Sequence, residues 1–265
     1  MSKARPPLGL VVPAVGAVAL VAVPLIGLLQ RAPWSRLGPE LSTPEVGQAL
    51  RLSLECSLGA LAVAVVLGVP LAWVLARLSF PGRSLVRALV LLPMVLPPVV
   101  GGVALLSAFG RGGFLGRHFG SLPGFPLPFT TRGVIVAEAF VAMPFLVITA
   151  EAGLRQANRC YDEAAATLGA GPWRRFRTVT LPLAAPSVAA GAALCWARAL
   201  GEFGATITFA GNLPGRTQTM PSAIYVTLQT RPEGAIALSL VLLGVALAVL
   251  VALRGRLVGG DGSSR

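Results

Sequence analysis

Long apolar blocks alternate with short polar segments along this 265-residue chain. The blocks are about twenty residues long, which is the length of an α-helix that crosses a hydrocarbon layer of roughly 30 Å. We therefore predict an all-α, polytopic membrane protein with six transmembrane helices. Their predicted bounds are Leu8–Leu29, Ser53–Ala76, Ala88–Phe109, Gly133–Leu154, Leu183–Ala210 and Ala235–Leu253.

The composition agrees with a lipid-embedded fold. Apolar residues make up 55% of the chain and charged residues only 12%, whereas soluble domains carry about 25% charged residues. The net charge of +12 could suit nucleic acid, but the basic residues lie between apolar blocks without interleaved aromatic residues. We expect membrane lipid and no nucleic acid as a partner.

The basic residues also predict an orientation. With the N-terminus inside, thirteen Lys and Arg residues fall on the cytoplasmic side and eight on the other side. Because cytoplasmic loops are enriched in Lys and Arg, both termini are predicted to be cytoplasmic. The first apolar block is longer than the 7–15 residues of a signal peptide's apolar region, so we expect a retained anchor.

Residue types used in metal or acid–base chemistry are scarce. Cys56, Cys160 and Cys195 are scattered without CxxC spacing, and His118 is the single histidine. This pattern indicates neither a disulfide framework nor a zinc site. We expect no metal site and no catalytic residue in this chain.

The predicted loop at residues 155–182 carries the most informative pattern. We interpret it as two short helices separated by a turn. Asp162 is predicted to cap the first helix by accepting a backbone N–H. Gly169 permits the turn, and Pro172 suits the first position of the second helix. An amphipathic, basic helix lying on an anionic membrane surface is the simpler alternative.

This loop resembles the EAA signature of binding-protein-dependent ABC importer permeases. The matching residues are Glu163, Ala164, Ala165, Gly169, Leu181 and Pro182. Leu181 and Pro182 are also predicted to end the second helix where the fifth span begins. The resemblance implies that the loop docks on a separate ATP-hydrolysing subunit. The chain contains no G-x-x-x-x-G-K-[ST] phosphate loop, so ATP and Mg are expected on that partner, with no cofactor and no enzyme activity here.

Residues 197–221, together with 92–102 and 109–116, resemble molybdate and tungstate permeases, and the sulfate/thiosulfate permease is the alternative. The resemblance implies a type I importer fold in a bacterial inner membrane. It further implies a homodimer with two ATPase subunits and an extracytoplasmic oxyanion-binding protein. Asn212, Arg216 and Gln218 are candidates for docking that protein.

The implied organisation has three parts. Residues 1–48 form an N-terminal anchor and outer loop, residues 49–254 form the permease core, and residues 255–265 form a cytoplasmic tail.

Charges and prolines within the predicted spans give further expectations. Arg198 and Glu202 are four residues apart, so on one helix they can pair. They are either a self-neutralised packing pair or part of an anion pathway. Two other acids, Glu138 and Glu151, are expected to be interfacial. The prolines at positions 93, 97 and 98 should kink the third span and are expected on the inside of the bundle.

Two other classes of protein fit the chain less well. An intramembrane protease needs a base within the bundle, but His118 lies in a predicted outer loop. Ion-driven secondary transporters often contain paired inverted repeats and broken helices, and neither is apparent in the sequence.

Overall fold

The computed structural model describes residues 8–120, 122 and 125–257, mostly as helices joined by turns. The α-helices are α1 (Leu8–Gln30), α2 (Leu37–Leu41), α3 (Pro44–Arg77), α4 (Arg83–Val95), α5 (Pro98–Phe109), α6 (Phe114–Phe119), α7 (Thr131–Gln156), α8 (Arg159–Thr167), α9 (Pro172–Arg175), α10 (Leu181–Leu200), α11 (Gly204–Ala210), α12 (Met220–Thr230) and α13 (Pro232–Leu257). The predicted all-α class is confirmed. The basic residues at positions 3, 5 and 265, used to predict the orientation, lie outside the described residues, as does most of the predicted tail.

Six segments of the described chain are helical, long and apolar enough to span a membrane. They are Gly9–Gln30, Pro44–Arg77, Pro98–Phe119, Thr131–Gln156, Pro172–Leu200 and Pro232–Val249. The predicted number of spans is confirmed. The predicted third and fifth spans are wrong as continuous helices, because each one crosses an interruption between two shorter helices.

Helix α7 is the centre of the bundle, and α3 packs along it in the same direction. Gly59 of α3 lies against Ile135, and Gly68 lies against Val147. Helix α10 runs antiparallel on another side of α7. Small side chains dominate the core that the three helices share: Ala60, Ala64, Ala139, Ala142, Leu146, Cys195 and Ala199. Since lipid is as apolar as these residues, such helices associate through close packing, which small side chains permit.

Helices α3 and α7 end together, where Arg77 donates a hydrogen bond to the Ala157 carbonyl oxygen at 3.2 Å. We call this end of the bundle the loop end, because the segment containing α8 follows it. Glu151 lies here, as expected for an end of the span, but it is only 7% exposed. It pairs with Arg87 of α4 and with Arg155, whose Nη2 lies 2.8 Å from Glu151 Oε1.

The first interruption separates α4 from α5 at Leu96 and Pro97. The predicted kink is confirmed, because proline has no N–H to continue the helical hydrogen bonds. The predicted position inside the bundle is wrong for the single chain. Val95 and Val99 are 81% and 55% exposed, because small residues of α3, α7 and α10 already fill the interior.

The second interruption separates α10 from α11 at residues 201–203. It lies beside the first, since a Cβ added to Gly204 would come within 2.7 Å of Pro98 Cβ. One helix turn further along, a Cβ on Gly102 would come within 2.6 Å of Thr208 Cβ. Only glycine allows these close approaches. The expectation that broken helices are absent is therefore wrong: two interrupted helices meet in this fold.

Candidate functional site

The first short helix of the 155–182 loop begins differently from the prediction. Asn158 caps α8, because its Oδ1 accepts the Cys160 N–H at 3.0 Å. Asp162 lies inside α8 instead, and its Oδ1 accepts the hydroxyl of Thr180 at 3.2 Å. The predicted cap is wrong because Asn158 has the extended backbone that precedes a helix. Asp162 ties α8 to the segment that leads into α10.

The turn after α8 forms at Gly169, as predicted. Its φ is +82°, and a Cβ added there would meet no atom within 4 Å. The backbone therefore requires glycine for its left-handed conformation rather than for space. Ala170 N donates to Ala165 O at 3.0 Å and closes the helix end. Pro172 then occupies the first turn of α9, also as predicted.

The second short helix does not end at Leu181 and Pro182. It passes through a π-helical turn at Phe176–Thr180 and continues into α10. Leu181 N donates to Phe176 O in that turn. The wider turn accommodates Pro182, which cannot donate the next helical hydrogen bond. The second helix of the loop and the fifth span are therefore one connected element.

The signature residues at the start of the loop are accessible. Glu163 and Ala164 lie on the accessible surface of α8, and Leu168 just after it is 87% exposed. Leu181, at the far end of the signature, packs against the core of α3, α7 and α10. The loop thus joins an exposed helix with small side chains to the interior of the bundle.

Arg198 and Glu202 do pair, with Nη2 2.5 Å from Oε2. They do not share one helix, because α10 ends at Leu200. Glu202 is 1% exposed, and its other oxygen accepts the Ala205 N–H at 2.8 Å. One carboxylate therefore neutralises Arg198 and also caps α11 across the interruption.

Glu138 is a buried acid whose position was predicted wrongly. It is 1% exposed within α7 rather than interfacial, and its Oε2 has no hydrogen-bond partner in the described chain. The Thr206 hydroxyl on α11 is also buried without a partner among the described residues. In the sequence, the small residues Ala137 and Ala139 on either side of Glu138 were the signal for its burial, since small neighbours permit close helix packing.

At the end opposite the loop end, a cavity of about 970 Å³ opens between the outer end of α5 and the start of α7. Arg111, Arg132 and Arg216 line it together with Phe125 and Phe129. The described structure gives none of these arginines a carboxylate partner within 4.0 Å. The cavity is therefore cationic and partly aromatic.

The three candidate docking residues separate in the structure. Arg216 lines the large cavity, whereas Gln218 lines a smaller recess with Glu40 and Arg231. The side-chain oxygen of Asn212 is buried and has no hydrogen-bond partner among the described residues. Across the described chain, no three His, Cys, Asp or Glu side chains are grouped so that they could hold a metal ion.

Comparison with known proteins assigns the chain to a family. Residues 64–258 match the family described as binding-protein-dependent transport system inner membrane component. The molybdenum transport system permease protein ModB of Mycobacterium tuberculosis H37Rv is 45% identical over 244 residues, 92% of each chain. Its Escherichia coli K12 counterpart is 43% identical over 210 residues, covering 79% of this chain and 91% of that protein.

A sulfate relative is more distant. The sulfate transport system permease protein CysT of Escherichia coli K12 is 38% identical over 205 residues, covering 77% of this chain and 74% of that protein. Among solved structures, a bacterial ABC transporter involved in alginate import has a TM-score of 0.76 at 20% identity, covering 94% and 93% of the two chains. That likeness confirms the importer permease fold. The chain belongs to the family of binding-protein-dependent transport system inner membrane components.

Proposed function

We propose that this chain is the membrane-spanning subunit of an ATP-driven importer of molybdate, with tungstate as a second substrate. The main support is the exposed α8 with its EAA signature, in a chain that is 45% identical to a molybdenum transport permease over 92% of its length. The subunit would give the oxyanion alternating access across the bacterial inner membrane.

Sulfate or thiosulfate import is the second candidate. Within one organism, Escherichia coli K12, the molybdenum permease is 43% identical to this chain and the sulfate permease is 38% identical. The difference favours molybdate. Substrate selection is assigned mainly to the extracytoplasmic binding protein, so the permease alone does not decide between the oxyanions.

Coupling to ATP is assigned to the loop at residues 155–182. In this proposal, Glu163, Ala164 and Ala165 contact a groove on a cytoplasmic ATPase subunit, where the small size of the two alanines allows close approach. Gly169 sets the turn, and Leu181 and Pro182 pass the movement into α10. ATP and Mg bind the partner, and this chain catalyses no reaction itself. The loop end is then cytoplasmic, as are both termini.

Two copies of the chain are proposed to form the pathway. Irregular backbone at membrane depth must be covered by protein or line a cavity. The interruption between α4 and α5 is not covered in the single chain, since Val95, Val99 and Val103 are 81%, 55% and 51% exposed. A second copy that covers this surface would place the two interruptions next to the dimer interface.

Arg198 is proposed as the cation that the oxyanion meets, with Glu202 holding it in place. Its side chain is 30% exposed while that of Glu202 is 1% exposed, so the arginine can reach a passing anion and the carboxylate cannot. On the opposite face, Asn212, Arg216 and Gln218 are assigned to docking of the binding protein. The cationic cavity that contains Arg216 supports this assignment.

Reconstitution tests the proposal. The chain, its ATPase subunit and its binding protein are placed in vesicles, and molybdate uptake is measured with and without ATP. We expect ATP-dependent molybdate uptake that tungstate inhibits and equimolar sulfate does not. Preferred sulfate uptake would establish the second candidate, and uptake driven by an ion gradient without ATP would refute the importer assignment. Isothermal titration of the binding protein with the three oxyanions measures the selectivity separately.

A further inference from the structure

An apolar groove lies on the side of the bundle near the loop end. It has a volume of about 650 Å³ and runs between α3 and the segment that leads from α9 into α10. Val66, Pro70 and Trp73 form one wall, and Trp173 and Phe176 belong to the other. Every lining residue is apolar. The groove has the chemistry of a site for a hydrocarbon chain rather than for a polar solute.

Aromatic packing gives this groove a defined shape. The rings of Trp73 and Phe176 meet edge to face with centroids 6.0 Å apart. Trp173 stacks on Phe176 with centroids 5.6 Å apart. The outer wall is accessible, since Trp173 is 72% exposed and Val66 is 68% exposed. Tryptophan is enriched where the hydrocarbon layer meets the headgroups, so one end of the groove lies at that level.

Three cations lie next to the groove's aromatic residues in the sequence. Arg174 and Arg175 directly follow Trp173, and Arg177 directly follows Phe176. The described structure places no carboxylate within 4.0 Å of any of the three. Guanidinium groups without a carboxylate partner are available to bind an anionic group such as a phosphate.

We propose that this groove binds an anionic phospholipid, with one acyl chain in the groove and the headgroup phosphate on Arg175 and Arg177. Lipid is the ordinary neighbour of an apolar surface at this depth. The arginines add the preference for a negative headgroup, as basic pockets between membrane helices do. The site depends only on the membrane-spanning fold, not on which oxyanion is transported.

The position of the groove determines what a bound lipid would do to the structure. Its walls connect α3, which packs along α7, to the segment that joins α8 to α10. A bound acyl chain would fill the space between them and hold the α9 segment against α3. The lipid would thus stabilise the element on which the exposed α8 is mounted.

Quenching of tryptophan fluorescence tests the proposal on the purified full chain. The chain has four tryptophans, of which Trp73 and Trp173 line the groove. Phospholipids with brominated acyl chains are compared, one with a phosphatidylglycerol headgroup and one with phosphatidylcholine, in a Trp34→Phe, Trp196→Phe background. We expect stronger quenching by the phosphatidylglycerol. An Arg175→Gln, Arg177→Gln variant should lose this preference, because each arginine contributes about fivefold, and the apparent affinity for phosphatidylglycerol should fall by roughly 25-fold.

Two matched variants separate the site from general membrane charge. Arg111→Gln with Arg117→Gln removes two arginines distant from the groove and should leave the preference unchanged. Val66→Phe narrows the groove without touching an arginine, and it should weaken quenching by both lipids. Equal quenching by the two headgroups, or an unchanged preference in Arg175→Gln, Arg177→Gln, would overturn the proposal.

Other occupants give different results in the same assay. If the α1 helix of a second copy filled the groove, dimeric protein would protect Trp173 from both lipids, which refutes the lipid site. If the arginines bound any free phosphate, soluble glycerol phosphate would abolish the headgroup preference at millimolar concentration. That result would also refute it. Persistence of the preference in glycerol phosphate is the expected outcome.

Discussion

Two interruptions of the helical chain differ in almost every physical respect. The interruption after α8 is exposed, and Gly169 occupies it because φ is +82° in open space. The interruption before α11 is buried, and Gly204 occupies it because Pro98 lies 2.7 Å from where a Cβ would be. One glycine serves the local backbone, and the other serves the packing of two helices.

The polar groups at the two interruptions differ in the same way. Glu163 lies on the accessible surface of α8. Glu202 is 1% exposed and holds both Arg198 and the Ala205 N–H. Exposed groups contribute little to the stability of the single chain, so the residues around the interruption after α8 are free to contact a partner. Changes at the buried interruption should appear first as loss of stability.

The largest loss of stability is expected for Arg198→Ala. This change leaves the carboxyl group of Glu202 buried without its cation, and breaking a buried pair costs about 3–5 kcal/mol. The yield of folded protein in detergent and its thermal midpoint both report the loss. A normal yield and midpoint for Arg198→Ala would show that the pair is not needed for folding.

The double variant Arg198→Met, Glu202→Gln separates packing from transport. The amide oxygen of the introduced glutamine can still accept the Ala205 N–H, so folding and assembly should recover. Uptake in vesicles with ATPase and binding protein should not recover, because the cation for the oxyanion is missing. Full uptake by the double variant would remove Arg198 from the pathway and leave the pair as structural.

A smaller loss is expected for Gly204→Ala. The added methyl group would overlap Pro98 Cβ, and overpacking of this kind costs typically about 1–3 kcal/mol. The control is Gly244→Ala in α13, where an added Cβ meets no atom within 4 Å. The thermal midpoint should fall for the first variant only. Equal midpoints would show that the two interrupted helices can move apart freely.

A local effect is expected for Gly169→Leu. A side chain at φ +82° costs roughly 1–2 kcal/mol in local backbone energy, but no neighbour is displaced. Insertion into the membrane and dimer yield should be normal, while uptake should be abolished because α8 changes its angle to the ATPase. Uptake at the normal rate would contradict the coupling assignment of this turn.

The smallest effect on stability is expected for Glu163→Lys. Exposed substitutions usually change stability by less than about 0.5 kcal/mol, so the thermal midpoint should be unchanged. Uptake should be lost, and pull-down of the ATPase subunit from detergent should weaken. Intact pull-down with Glu163→Lys would place the ATPase contact elsewhere.

The sequence by itself determined the class, the number of spans, the turn at Gly169 and the family. Each depends on a local property: apolar blocks long enough to cross lipid, a glycine in a short polar turn, or a motif with fixed spacing. The sequence also predicted that Arg198 and Glu202 pair, because four residues place them close together in a helical segment. These features can be predicted without knowing which distant residues pack against them.

Only the tertiary structure decided where the helices are interrupted and which acids are buried. Glu138 and Glu202 occur in equally apolar stretches, yet within the described chain Glu202 has a cation partner and Glu138 has none. Aspartate is a common helix-capping residue, but Asn158 caps α8, and Asp162 accepts a hydrogen bond from the Thr180 hydroxyl instead. The physical reason is the same in each case. A polar group's role depends on the partners that distant helices bring to it, and those contacts have no signal in the local pattern.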